Sequence, residues 1–235
     1  MNYSVEFKEL VENCVISNAH IGDGNPNAKI LFVGQEAAYD GKTDEYNANI
    51  IKWKSNVNKL ESNLYLEYEN TFSSGHTWRK YQKLHNYIFP EFIAKEGRIN
   101  FHERIFTTEM SDNPAKKNGE AKKNPNYKAD LQKRKEFFFN EDFIQNFNVV
   151  VLACSGYLVN NEKNWEINNL FKVRYVGDEF GKKWYNKTNW FYIHYSEDNR
   201  KLVIHTRQLS NDVFDKMLEE MGKIIRNHIE KTILL

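Results

Sequence analysis

The apolar run Ile30 to Gly34, ILFVG, most narrows the folds open to this chain. It lies inside the stretch KILFVGQEAAYD, Lys29 to Asp40, and stops at a glycine. A run this short does not make a helix; it suits a strand buried on both faces, as in the parallel sheet of an α/β protein. The glycine marks where the strand ends and the backbone turns tightly. Ligands of such sheets bind outside the carboxyl ends of the strands. That rule places Gln35, Glu36 and Tyr39 at a candidate site.

The other elements fit around this strand. Ser4 to Val15 patterns as a short amphipathic helix with Val5, Leu10, Val11 and Val15 on one side, and the turn IGDGNPN leads into the first strand. Ile50, Ile51, Trp53, Val57 and Leu60 recur at roughly helical spacing. Thr77 is placed to cap a helix whose stripe is Trp78, Tyr81, Leu84, His85 and Ile88. RIFTTEM (Arg104 to Met110) and VVVLA (Val149 to Ala153) are further core strands. Between them lies a lysine-rich loop with Lys116, Lys117, Lys122, Lys123 and Lys128, then a charged helix with Lys133, Arg134 and Lys135 opposite Phe137, Phe138 and Phe139. Phe171 to Tyr195 has an antiparallel, aromatic character. Trp190–Tyr195 and Lys201–Thr206 flank SEDNR as a hairpin, and Asn211 caps a long C-terminal helix.

Strands alternating with helices predict one α/β domain over residues 1–235. The expected architecture is three-layer α/β/α, with a central, mainly four-stranded parallel sheet and an antiparallel extension. Four strand ends carry polar clusters: Gln35–Glu36, Thr107–Thr108–Glu109, Ser155 and His205–Arg207. In a parallel sheet they converge on one rim.

A net charge of +1 names no partner by itself. Two cysteines, Cys14 and Cys154, form neither a disulfide framework nor a metal-ligand spacing, and His102–Glu103 and His194 show no ligand pattern. No apolar leader follows Met1, and no apolar run has the ~18 residues of a membrane span. The expectation is a soluble cytoplasmic monomer without metal, cofactor or membrane partner.

Several segments, in order, resemble motifs of the uracil-DNA glycosylase superfamily. GDGNPNAKILFVGQE (Gly22 to Glu36) is similar to the approach to its first motif, G-Q-D-P-Y or G-E-A-P-G. Thr71, Phe72 and the Ser-Ser-Gly after them resemble the loop carrying a base-stacking phenylalanine. IFTTEMSDNP (Ile105 to Pro114) resembles the strand whose asparagine recognises the base. VVVLACSG resembles the next core strand, and IHTRQLS (Ile204 to Ser210) the second motif, H-P-S-P-L-S. The likeness spans Gly22 to Ser210. Its motifs are degenerate, and their order and spacing carry the weight.

The resemblance implies hydrolysis of the N-glycosidic bond of uracil or a related damaged base in DNA, taken out of the stack. Glu36 falls at the water-activating carboxylate and His205 at the second-motif histidine on the base side. Gln35 and Tyr39 lie beside the base, Phe72 stacks on it, and Thr108 stands at the base-reading asparagine. Glu109 is a second candidate carboxylate. Leu209 matches the wedge leucine. Lys116, Lys117, Lys122, Lys123, Arg207 and Ser210 are candidate DNA contacts. The sequence also departs from the motifs. Glu36 is one carbon longer than aspartate, Ala37 and Ala38 replace a proline and a tyrosine, and Thr108 offers one hydroxyl in place of an amide. Thr206, Arg207 and Gln208 stand for P-S-P, and the cysteines that hold an iron–sulfur cluster in one branch are missing. Two other readings stay open: a catalytically altered nucleic-acid-binding module on the same fold, and an enzyme acting on free nucleosides or nucleotides.

Overall fold

The computed structural model describes residues 3–36, 45–57, 76–94, 98–113, 115, 118–161, 164–210 and 212–233. In chain order they form α1 (Val5–Ser17), β1 (Asp23–Gly24), β2 (Ile30–Gly34), α2 (Glu45–Asn56), α3 (His76–Ile88), β3 (Ile105–Glu109), α4 (Asn118–Ala121), α5 (Tyr127–Asn140), α6 (Asp142–Gln145) and β4 (Val149–Leu152). Then follow β5 (Asn160–Asn161), β6 (Asn164–Trp165), α7 (Glu166–Phe171), β7 (Arg174–Tyr175), α8 (Asp178–Gly181), β8 (Lys182–Asn186), β9 (Asn189–Tyr195), β10 (Leu202–Thr206) and α9 (Asp215–Ile233).

The main sheet runs β1-β3-β2-β4-β10-β9-β7, with β8 added on β9. Its centre, β3-β2-β4-β10, is parallel throughout. β1 pairs antiparallel at one side, and β7, β8 and β9 form the antiparallel extension at the other. Every residue of β2, β4 and β10 is buried, because apolar clusters cover both faces. One cluster joins α1, α2, α5, α6 and α7 to Leu31, Val33, Phe106, Val150 and Leu152. The other joins α3 and α9 to Ile30, Phe32, Ile105, Val151 and Ile204. Strand alternation sends successive side chains to opposite clusters.

Chain order makes β2 the first parallel strand. The chain then adds β3 on one side and returns to add β4 on the other. The space between the carboxyl ends of β2 and β4 is therefore a topological switch point, where an open α/β sheet leaves a crevice.

Helix faces differ in detail from the expected pattern. In α1 the buried set is Phe7, Leu10, Val11 and Cys14, an i, i+3, i+4, i+7 stripe, while Val5 is exposed. Ser4 caps the helix by accepting from the Phe7 N–H at 3.2 Å. Ile50, Trp53 and Val57 face the core and Ile51 does not; Leu60 lies outside the described residues. α3 begins at His76, so Thr77 is its second residue and not its cap. Asn211 lies outside the described residues, and α9 starts at Asp215.

The largest departure is Arg134. Placed by the pattern on a charged outer face of α5, it is buried at 1% exposure. Its Nε donates to the Glu109 carbonyl at 3.1 Å, and one terminal nitrogen donates to the His20 carbonyl at 2.9 Å and the Thr108 hydroxyl at 3.0 Å. Asp112 supplies the countercharge at 3.4 Å, and the rings of Phe137 and Phe138 flank the guanidinium. The strap His20–Gly24 is thereby pinned to β3. Asn49 and Trp53 of α2 complete the strap's bonding: the Asn49 carbonyl accepts from the Ile21 and Gly22 N–H groups, and both side chains donate to the Gly22 carbonyl. Gly22 has φ +132°, and a Cβ there would collide with the Thr107 carbonyl.

Removing the Arg134 guanidinium leaves two buried carbonyls and a hydroxyl short of a donor. Arg134→Met is expected to destabilise the fold by about 3 kcal/mol, measured as the midpoint shift in urea unfolding at constant slope. A loss near zero would remove Arg134 from this role.

Candidate active site at the sheet switch point

Two backbone turns build the site, one after β2 and one after β4. Gly34 ends β2 opposite Glu109 in the β2–β3 register. A Cβ at Gly34 would run into the Glu109 carboxyl, so the glycine gives that side chain its seat. The Gly34 and Gln35 carbonyls accept from the Met110 and Ser111 N–H groups at 3.0 and 2.9 Å, which extends the pairing past both strand ends.

After β4 the chain turns through a 3-10 segment, Ser155–Tyr157, with Ser155 at φ +47°. Three expected site residues meet this turn. Gln35 Nε2 donates to the Cys154 carbonyl at 3.4 Å. His205 Nε2 lies 2.9 Å from the Ser155 carbonyl. The Tyr157 hydroxyl donates to Glu36. Gln35, Glu36 and His205, which come from opposite ends of the sequence, are thus joined through one turn. Tyr127 of α5 packs on Tyr157 at 5.8 Å between ring centroids, and the Lys122 ammonium stands 5.9 Å from the Tyr157 ring.

The charges follow from this packing. Burial lifts the Glu36 carboxyl above its ordinary value, and the Tyr157 hydroxyl and the Lys122 ammonium offset only part of that rise. Burial, the hydrogen bond to Glu36 and its charge hold Tyr157 as the neutral phenol. Glu109 differs. Burial, then the charges of Glu36 and Asp23, push it up to about 8, against a smaller opposing pull from Arg134. Its Oε2 is sealed from solvent without a hydrogen-bond partner among the described residues, as is the Tyr81 hydroxyl of α3. At pH 7 Glu109 is mainly the neutral acid.

His205 is buried and held down at about 4, first by burial. A carbonyl only accepts, so Nε2 carries the proton and Nδ1 presents a bare lone pair with no partner among the described residues. Protonating it at pH 7 costs roughly 4 kcal/mol. As placed, the imidazole steadies the Ser155 turn and is not a ready donor to an anion on the base.

Other expected contacts fall elsewhere. Thr108 turns to the opposite face from Glu109; its hydroxyl donates to the Ile21 carbonyl at 2.9 Å and accepts from Arg134. Leu209, the expected wedge, is fully buried beside α9. Withdrawing it costs about 1.5–3 kcal/mol, so in this arrangement it is a packing residue. Arg207 is tied to backbone, to the Gln208 and Thr188 carbonyls at 3.2 Å each. Ser210 is part-exposed on the turn after β10, and Lys122 and Lys123 are exposed at the end of α4. Tyr39, Phe72, Lys116 and Lys117 lie outside the described residues.

Sequence reading passed over Tyr157, Tyr127 and Tyr81. Tyr157 was within reach, since it lies just past VVVLACSG, at a strand end on the same rim. Tyr81 looked like part of a helix stripe, and only the packing shows its hydroxyl without a partner among the described residues. Among the described residues no helix is long and apolar enough to cross a membrane. No protein-family model and no curated protein matches the chain.

Glu109 offers a test of this environment that needs no substrate. A carboxyl raised from 4.5 to about 8 in the folded state binds its proton more tightly there than in the unfolded chain. It stabilises the fold fully below the unfolded value, and that contribution fades as pH rises toward 8. Glu109→Gln carries no such titration. Its stability relative to the parent is expected to rise by a few kcal/mol across that window and to level off above it, read from urea unfolding at stepped pH. A flat difference would mean that Glu109 titrates normally.

Proposed function

We propose that this protein is a uracil-DNA glycosylase-like hydrolase that breaks the N-glycosidic bond of a base in DNA. The observation that carries the reading is the convergence of Gln35, Glu36, Glu109 and the Cys154–Tyr157 turn at the switch point. Gln35 and Glu36, which the motif resemblance marks just after β2, meet there with Glu109 of β3, while Thr108, the position that it marks on β3, faces the other way.

Cleaving such a bond leaves positive charge on the sugar and negative charge on the departing base. Glu36 is the group for the sugar side. It is part-exposed, so substrate and water can reach it, and Tyr157 and Lys122 favour its ionised form. An ionised carboxylate stabilises the cation and takes a proton from the attacking water. Tyr157 donates to one carboxylate oxygen and so orients the group. On the base side, Glu109 is itself mainly neutral, and the buried Tyr81 and Cys154 that face it stay neutral too, a setting that suits a flipped base better than a phosphate. Lys122, beside the Tyr157 ring, and Lys123, next in the chain, are exposed, which supports a role for them on the backbone of the strand. His205 acts as a positioning residue through Ser155.

Single- and double-stranded oligonucleotides carrying one uracil, hypoxanthine or mismatched thymine test the proposal. The expected product is an alkali-labile site, with Glu36→Gln reducing its formation by about a hundred- to ten-thousandfold while binding survives. Cleavage unchanged in Glu36→Gln would remove Glu36 from the mechanism. No cleavage by the wild type, with salt-sensitive binding to the same strands, would favour a non-catalytic module. Turnover of free nucleosides would shift the reading to a nucleoside hydrolase.

Tyr157→Phe adds a second check. Losing the hydroxyl removes a bond that favours ionised Glu36, so the acid limb of the pH–rate profile is expected to move to higher pH. An unmoved limb would show that Tyr157 does not tune Glu36.

A further inference from the structure

We propose that Glu109 reads the base as a neutral carboxylic acid, and that the substrate base presents an N–H beside a carbonyl oxygen, the lactam edge shared by uracil and hypoxanthine. This rests on the base-excision reading above and narrows it.

Geometry selects Glu109 over its neighbour Thr108. The two are successive residues of β3, so they point to opposite faces. Thr108 has its hydroxyl spent between the Ile21 carbonyl and Arg134, and it cannot turn to a ligand without breaking the strap. Glu109 lies over Gly34, one residue before Gln35 and two before Glu36. It keeps part of its surface exposed, while Oε2 is sealed and unpartnered among the described residues. A buried oxygen left without a partner is costly, and a ligand that supplies one relieves that cost.

The chemistry selects the edge. A protonated carboxyl carries one donor and one acceptor in a planar fork, the same pair that an amide offers. It matches an N–H next to C=O. Cytosine and adenine present an amino donor next to a ring-nitrogen acceptor. The neutral fork can pair with that edge too, but a second group opposes it: the Tyr81 phenol, buried, close enough to feel the Glu109 charge and without a partner among the described residues, adds a donor on the same side of the sheet and favours a carbonyl over an amino group.

The groups facing Glu109 set its protonation. They are Glu36 beyond β2, Asp23 of β1, Arg134 of α5, Tyr81 of α3 and Cys154 beyond β4. Of these, the carboxylates Glu36 and Asp23 disfavour a further charge, Arg134 favours it less, and Tyr81 and Cys154 stay neutral.

Two measurements on the full chain test this, one of them independent of any substrate. In infrared difference spectra, a carboxylic-acid carbonyl band is expected in the wild type at neutral pH, absent from Glu109→Gln and titrating near pH 8. The second is affinity for strands carrying uracil, hypoxanthine, cytosine or adenine, measured in the Glu36→Gln background to prevent turnover. Preference for the lactam bases is expected at low pH. It should fall roughly ten- to a hundredfold as Glu109 ionises. Adding Glu109→Gln should keep the preference and abolish its pH dependence, and adding Glu109→Leu should lose it at every pH.

A missing infrared band overturns the neutral acid. A band present, with base preference unaffected by Glu109→Leu, overturns its reading of the base and makes the proton structural only. If the wild type neither excises nor prefers any base while the band is present, the base-excision reading itself fails. Glu109→Gln folds without a buried charge, so the comparison survives a poorly folded leucine variant.

Discussion

The buried guanidinium of Arg134 is the contact on which most of this architecture depends. A cation almost wholly removed from water must satisfy its donors within the protein. Here Nε and one terminal nitrogen do so on the Glu109 carbonyl, the His20 carbonyl and the Thr108 hydroxyl, and the other terminal nitrogen stands 3.4 Å from the Asp112 carboxylate. These partners come from the strap before β1, the end of β3 and the turn after it. One side chain from α5 thus fixes the relative position of three segments that otherwise meet only at the edge of the parallel sheet. Its charge also keeps His20 neutral, adding to the effect of burial.

Fixing β3 by Thr108 has a consequence one residue later. A strand cannot turn two successive side chains to one face. Once Thr108 is bonded to the strap, Glu109 is committed to the face shared with α3 and α9. Gly34 then matters for what it lacks, because the carboxyl occupies the space of its missing side chain. The strap, the arginine and the glycine together deliver a carboxyl to the end of β2. None of the three needs to touch a substrate.

How much of this was legible in the sequence varies with the physics involved. Ile30–Gly34 and Val149–Leu152 were plain, since a strand buried on both faces has no polar residues to blur it. The hairpin around SEDNR was equally clear from its turn residues: β9 and β10 pair from Leu202↔Tyr195 to Thr206↔Phe191. Arg134 was not legible. Flanked by Lys133 and Lys135, it looks solvated, and only its tertiary partners make burial favourable. Thr108 and Glu109 show the same limit at the site. Alternation says that they face apart, but which one faces the cleft depends on the strap, far away in sequence. Tyr157 meets Glu36 through a non-glycine residue at positive φ, Ser155, and local propensity does not predict that conformation.

The rim therefore holds two carboxyls that burial raises to different degrees. Burial raises Glu36, and the Tyr157 phenol and the Lys122 ammonium offset part of that rise. Glu109 sits where burial and Glu36 itself oppose a second charge. Proximity of like charges drives the two apart in protonation, and the more sealed group yields. The division suits the proposed reaction, in which a bond breaks into a cationic sugar and an anionic base. A carboxylate toward the sugar attracts the charge forming there, whereas one toward the base would repel it. A neutral acid toward the base can donate a hydrogen bond to the oxygen on which negative charge gathers. The two environments meet that requirement without a cationic histidine, which the burial of His205 makes costly.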